Sequence, residues 1–138
     1  MINLALLHPA VRVMAIILMH RCRNIGINII LVQGFRSFAE QDALYAKGRT
    51  EVGKIVTNAK GGYSFHNYGL AFDFCPLRAD GSTDWDDMKK FERVGARAED
   101  IGMTWGGRWK MKDMGHCQFT FGFAIEEMFS EFNWSLLR

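Results

Sequence analysis

Between Pro9 and Asn24 apolar residues recur at helical spacing, with Val11, Met14, Leu18 and Cys22 on one stripe and Pro9 suited to the first turn. Gly26 stops that pattern. Ile27 to Gln33 is a short run of β-branched and apolar residues, which predicts a mostly buried strand whose end brings Gln33, Gly34 and Arg36 to a sheet edge. Ser37 and Glu40 form a capping box, in which each side chain satisfies a free backbone donor near the other, so a helix is expected from Phe38 to about Ala46. From Arg49 to Phe65 periodicity disappears and Gly53, Asn58, Gly61 and Gly62 accumulate. This predicts a long loop, and loops of such length in compact domains are usually functional or mobile.

The alternation returns at Leu70 to Cys75, a predicted strand with Ala71 and Asp73 on one face and Leu70, Phe72 and Phe74 on the other. Pro76 to Thr83 reads as a turn. Asp84 is then the expected cap of a helix from about Trp85 to Ile101, with Met88, Phe91, Val94, Ala98 and Ile101 on its inner stripe. Met103 to Trp105 and Cys117 to Thr120 are short strands flanking a glycine-bounded loop, and Gly122 to Leu137 is an apolar closing helix. The order helix, strand, helix, strand, helix, strand, strand predicts a small α+β domain, an antiparallel sheet packed with helices.

At 138 residues the chain suits one domain with an adequate core and leaves no room for a separate binding module. A net charge of +2 gives no electrostatic reason to expect nucleic acid as a partner. Three cysteines, Cys22, Cys75 and Cys117, lack CxxC spacing and cannot all pair, so they are expected to be reduced core residues. Cys117 follows His116 directly, but strand alternation turns it to the opposite face. The apolar stretch Ala10 to Met19 is interrupted by Arg12, followed by His20 and Arg21, and has no small-residue cleavage site, so no export signal is expected. Nor does any apolar run reach the roughly 18 residues of a membrane span. The acidic residues Glu126, Glu127 and Glu131 argue against a membrane-disturbing role for the tail. The expectation is a monomer made in the cytoplasm.

Two stretches carry candidate chemistry, Ser64 to Asp73 and Asp113 to His116. Zinc in hydrolases is usually held by three nitrogen or oxygen side chains with a fourth position left for water, and a nearby carboxylate takes that water's proton. His66, Asp73 and His116 can be the three ligands and Asp113 the proton acceptor. His66 and Asp73 are seven positions apart and would face opposite ways in a continuous strand, so they converge only if Asn67, Tyr68 and Gly69 turn the chain. The alternatives are a turn-capping role for Asp113 and, for Arg36, a pairing with a buried carboxylate.

The run Ser64-Phe65-His66-Asn67-Tyr68-Gly69-Leu70-Ala71-Phe72-Asp73, with Asp113-Met114-Gly115-His116, resembles the signature of the zinc peptidases that include D-Ala-D-Ala carboxypeptidases and L-alanyl-D-glutamate endopeptidases. Gln33-Gly34-Phe35-Arg36-Ser37, Glu40 to Thr50 and Trp105-Gly106-Gly107 are similar to the branch of phage endolysins and bacterial cell-wall endopeptidases. The resemblance spans Leu7 to Phe121. It implies the Hedgehog/D,D-peptidase-like fold with a zinc site on the sheet, Zn²⁺ on His66, Asp73 and His116, and Asp113 as general base. It also implies Arg36 at the oxyanion and Gln33 and Ser64 at the substrate, a peptidoglycan stem peptide whose expected scissile bond is that between L-Ala and D-Glu. Under this resemblance the protein acts on the wall after phage-type release or non-classical export. A D,D-carboxypeptidase or a non-catalytic zinc-stabilised wall-binding domain are the rival readings. Arg108, Met111 and Gly115 depart from the family's pattern, where an acidic or amide residue, phenylalanine and proline are expected.

Overall fold

The computed structural model of the chain describes residues 1–132. Its elements follow the expected order. Helix α1 (Pro9–Asn24) leads to strand β1 (Ile29–Gln33), helix α2 (Phe38–Ala46), strand β2 (Ala71–Pro76), helix α3 (Met88–Ile101), strands β3 (Thr104–Trp105) and β4 (His116–Gln118), and helix α4 (Ile125–Phe132). The four strands form one sheet in the order β1-β2-β4-β3, with every neighbouring pair antiparallel. Trp134 and Leu137, assigned to the closing helix from sequence, lie outside the described residues.

One sheet face is the floor of the core. Leu31, Phe72, Phe74 and Cys117 are fully buried there, beneath Val11, Ala15, Leu18 and Cys22 of α1 and Phe91, Val94 and Ala98 of α3. Both helices present these residues at three- and four-residue intervals, which is why each has a single apolar face to bury. Burial pushes the Cys22 thiol up to about 11 and raises that of Cys117 as well, so both stay protonated within the core.

Several boundaries differ from the sequence expectation, three of them near the site or with a clear cause. Strand β1 begins at Ile29, because Ile27 is still tied by its N–H to Cys22 O at the end of α1. Helix α3 begins at Met88 with Asp87 as its cap, accepting from Lys90 N. Asp84 is drawn instead into ion pairs with Arg78 and Lys90, at 3.4 and 3.6 Å. Strand β4 starts one residue early and so contains His116.

The opposite sheet face is shaped by register. Gln33 of β1 pairs with Asp73 of β2, and Asp73 pairs with His116 of β4, so the three lie in one row across neighbouring strands. A bulge between Leu31 and Gln33 brings Gln33 into that row. His66 reaches it from a 3₁₀ turn, Phe65–Tyr68. Gly69 ends that turn at φ 68°, in the left-handed region, and a Cβ there would stand 2.9 Å from His8 N. Gly69 thereby folds His66 back over Asp73.

Candidate active site

His66 and His116 converge on the Asp73 carboxylate. His66 Nε2 lies 3.3 Å from Asp73 Oδ1 and His116 Nδ1 lies 3.2 Å from the same oxygen. One potential ligand atom from each of the three residues lies within 4.8 Å of the others. Acceptors behind the rings select the tautomers. His66 Nδ1 is 2.8 Å from the carbonyl oxygen of Gly34, which can only accept, so that nitrogen donates and Nε2 keeps its lone pair. With His116 Nε2 donating to Gln118 Oε1 at 2.8 Å, Nδ1 is the inward lone pair. Two neutral imidazole lone pairs and a carboxylate oxygen thus face one another, an arrangement that calls for a cation between them. This donor set, with hydrogen-bonded second partners on both rings, fits Zn²⁺.

The same geometry governs protonation. Burial raises the Asp73 pKa, but when the inward ring nitrogens carry protons in place of a metal, hydrogen bonds from His116 and His66 and their charge outweigh it and hold the carboxyl well below its usual range. Burial lowers the pKa of His116, yet the hydrogen bond and charge of Asp73 reverse this and raise it. Cys117 is adjacent in sequence but pairs with Phe72 and faces the core, so it does not join the group.

Asp113 stands beside the triad, its Oδ2 4.0 Å from His116 Nδ1. Desolvation in the cleft and the nearby Asp73 charge raise its pKa. Its side chain is nevertheless 57% exposed, and among the described residues no hydrogen bond fixes its carboxylate. The turn holding it is closed by backbone instead: Asp113 N donates to Gly106 O and His116 N to Asp113 O. Turn capping by the carboxylate is therefore not what the structure contains. Arg36 forms no ion pair among the described residues either. Its Nη1 donates to Gln41 Oε1 at 2.8 Å and its Nη2 to Gln33 Oε1 at 3.4 Å.

A cleft of about 360 Å³ joins these groups, bringing Gln33, Arg36, Ser64, Asp113 and the two histidines and Asp73 to one surface. Ser64 also serves locally, its hydroxyl oxygen accepting from His66 N. Through Gln33, Arg36 and Leu44 the cleft borders a hollow lined also by Glu40, Ala43 and Lys47, and through Val56, Thr57 and Asp113 a groove of about 610 Å³ lined also by Tyr63, Trp109 and Met111.

Several contributors escaped the sequence reading. Asn67 is buried and links three segments, accepting from Gly62 N and Ser64 N and donating to Arg36 O. Gln118 and the Gly34 carbonyl orient the imidazoles, and the Trp109 ring lies 5.1 Å from that of His116. The only sequence signal for Gln118 was its place two residues after a candidate ligand on the same strand face. Of the departures, Arg108 points away from the cleft to pair with Glu99 at 2.9 Å. Gly115 lies so close to β2 that a Cβ would come within 2.7 Å of Phe74 O.

An α+β domain that sets two imidazoles and a carboxylate around one point in an open cleft, with a spare carboxylate alongside, has the equipment of a metal-dependent hydrolase. The sequence matches the VanY family of D-alanyl-D-alanine carboxypeptidases over residues 5–121, and the chain belongs to that family, whose members are hydrolases. It is 45% identical over 121 residues to the peptidoglycan L-alanyl-D-glutamate endopeptidase CwlK of Bacillus subtilis, covering 81% of this chain and 72% of CwlK. Its fold resembles that of the L-Ala D-Glu endopeptidase ChiX of Serratia marcescens, with a TM-score of 0.60 at 23% identity over 86% of this chain and 84% of ChiX. It likewise resembles a vancomycin-resistance D,D-pentapeptidase VanY from a VanB-type cassette, crystallised with Zn(II), with a TM-score of 0.62 at 15% identity over 91% of this chain and 79% of that one.

Proposed function

We propose that the protein is a zinc-dependent endopeptidase of peptidoglycan stem peptides that cuts between L-Ala and D-Glu. The observation that carries this reading is that the cleft borders two further hollows, one sharing Gln33, Arg36 and Leu44 with it and the other sharing Val56, Thr57 and Asp113. An endopeptidase must accommodate chain on both sides of the scissile bond, whereas removal of a terminal residue needs only a pocket with one closed side. The 45% identity to CwlK supports the same bond.

His66, Asp73 and His116 hold the metal in this reading. When bound, zinc supplies Lewis-acid polarisation and a water of lowered pKa. Asp113 accepts a proton from the attacking water and returns it to the leaving amine, a role suited to a carboxylate that lines the cleft with no hydrogen-bond partner among the described residues. Arg36 donates to the carbonyl oxygen as negative charge develops on it. Gln33 and Ser64 border the peptide. No covalent intermediate is required. The protein acts on the cell wall as a monomer; among the described residues no helix is long and apolar enough to cross a membrane.

Mass spectrometry of peptidoglycan digested by the zinc-loaded protein is expected to show new L-Ala carboxyl termini. Release of free D-Ala would instead support a carboxypeptidase, the activity in the family's description. Intact stems would defeat both, leaving the wall-binding reading.

The backbone around Asp113 also makes a prediction. A Cβ on Gly106 would meet Asp113 O at 2.5 Å, and that atom belongs to the turn the glycine itself closes. Gly106→Ala is therefore expected to displace Asp113 and lower kcat by roughly 10- to 100-fold, since misplacement by about 1 Å has costs of that order. Steady-state kinetics at saturating zinc checks it, and a wild-type kcat would contradict it.

A further inference from the structure

Gln41 is fully buried on the inner side of α2, yet it is polar. It lines none of the cleft described above. Its two amide ends are both used: Oε1 accepts from Arg36 Nη1 at 2.8 Å, and Nε2 donates to the carbonyl oxygen of Ala59 at 2.7 Å. The orientation is forced, because a guanidinium can only donate and a carbonyl can only accept. Ala59 belongs to the long loop between α2 and the 3₁₀ turn, and that loop supplies Val56 and Thr57 to the wall of both the cleft and the adjoining groove. Neighbouring contacts tie the loop to the same helix: Gly61 N donates to Asp42 Oδ1 at 2.7 Å, and Arg49, just past α2, donates to Thr57 O.

We infer that Gln41 is a positioning residue that sets Arg36 and the substrate-facing loop in register with each other through the two ends of one buried amide. The capping box at Ser37 and Glu40 fixes where α2 begins and hence where Gln41 stands, since Gln41 N itself donates to Ser37 O. A single rigid group thus holds the cation that meets the carbonyl oxygen and the wall that meets the rest of the peptide. The catalytic half of this inference rests on the proposed peptidase function; the tether to the loop does not.

Two substitutions separate the ends. Gln41→Glu keeps an acceptor for Arg36 but turns an oxygen toward Ala59 O, so the loop is released while the guanidinium stays held. Gln41→Met has similar length, suits a buried site and removes both bonds. Amide hydrogen exchange across residues 53–61 of the full zinc-loaded chain, read beside kcat and KM on a stem peptide, tests the pair. Both variants are expected to exchange faster there and to raise KM several-fold. Gln41→Met alone is expected to lower kcat by roughly 10- to 100-fold, whereas Gln41→Glu stays within about threefold. Unchanged exchange in both variants overturns the tether. Equal loss of kcat in both overturns the positioning of Arg36, because a merely structural residue would not distinguish them. If Gln41→Met does not fold, Gln41→Glu decides alone: faster exchange with kcat retained supports the inference, and any other result overturns it. If the wild type cuts no stem peptide, the functional reading fails and the exchange measurement still decides the tether.

Discussion

Asp113→Asn is expected to remove almost all hydrolysis of stem peptides while leaving the zinc content unchanged. The two effects separate because Asp113 stands next to the ligand group without belonging to it. The group whose potential ligand atoms all lie within 4.8 Å of one another is His66, Asp73 and His116; Asp113 is not in it, its carboxylate being 57% exposed with Oδ2 4.0 Å from His116 Nδ1. Asparagine preserves the size of the side chain and the backbone bonds to Gly106 and His116, so the turn persists. What is lost is the ability to accept a proton. Positioned acid-base groups contribute about 10²- to 10⁴-fold, and a loss of kcat in that range with KM little changed is the expected result. Metal analysis on the same preparation distinguishes this from a damaged site. Full activity in a zinc-replete Asp113→Asn protein would overturn the assignment of the base.

Much of the scaffold was legible because it rests on local signals. The apolar stripe of α1 and the Ser37–Glu40 box both have mechanisms confined to a few neighbouring residues, and both elements form over the expected range. The start of α3 was not legible in this way. Asp84, Asp86 and Asp87 are all competent caps by type, and the choice fell to Asp87 because Arg78 and Lys90 draw Asp84 elsewhere. That decision depends on tertiary contacts. The candidate ligands were named from residue types and a family resemblance, but the row that brings Gln33, Asp73 and His116 together is a matter of strand register. Asp73 and His116 are 43 positions apart, and no pattern within either segment states which residues will face each other. The groups that orient the imidazoles were less accessible still. One is a backbone carbonyl, Gly34 O, which carries no side-chain signature, and the side-chain partners of Arg36 are the amides of Gln41 and Gln33 rather than the carboxylate that charge alone would suggest.

Substitution of the proposed ligands should have the broadest consequence, because it acts on both folding and chemistry. His116→Ala removes the inward Nδ1 lone pair and leaves Gln118 Oε1 without its donor, so both metal affinity and the local hydrogen-bond network decline. Zinc binding stabilises the native state only in proportion to its preference for that state, by about 4 kcal/mol when free zinc exceeds Kd about 1,000-fold. For a chain of this length each kcal/mol moves Tm by about 2–4 °C, so a chelator should lower the wild-type Tm by about 10 °C. The same treatment should leave the Tm of His116→Ala nearly unchanged, since that protein has little metal to lose. Hydrolysis should be undetectable in it. Asp73→Asn supplies the complementary comparison: the amide is nearly isosteric but uncharged, so the cation loses its anionic ligand while β2 and β4 keep their backbone pairing at this row. Differential scanning calorimetry with and without chelator, run beside metal analysis, separates loss of the metal from loss of the fold. A chelator-dependent Tm that survives in both variants would place the metal elsewhere than among these three residues.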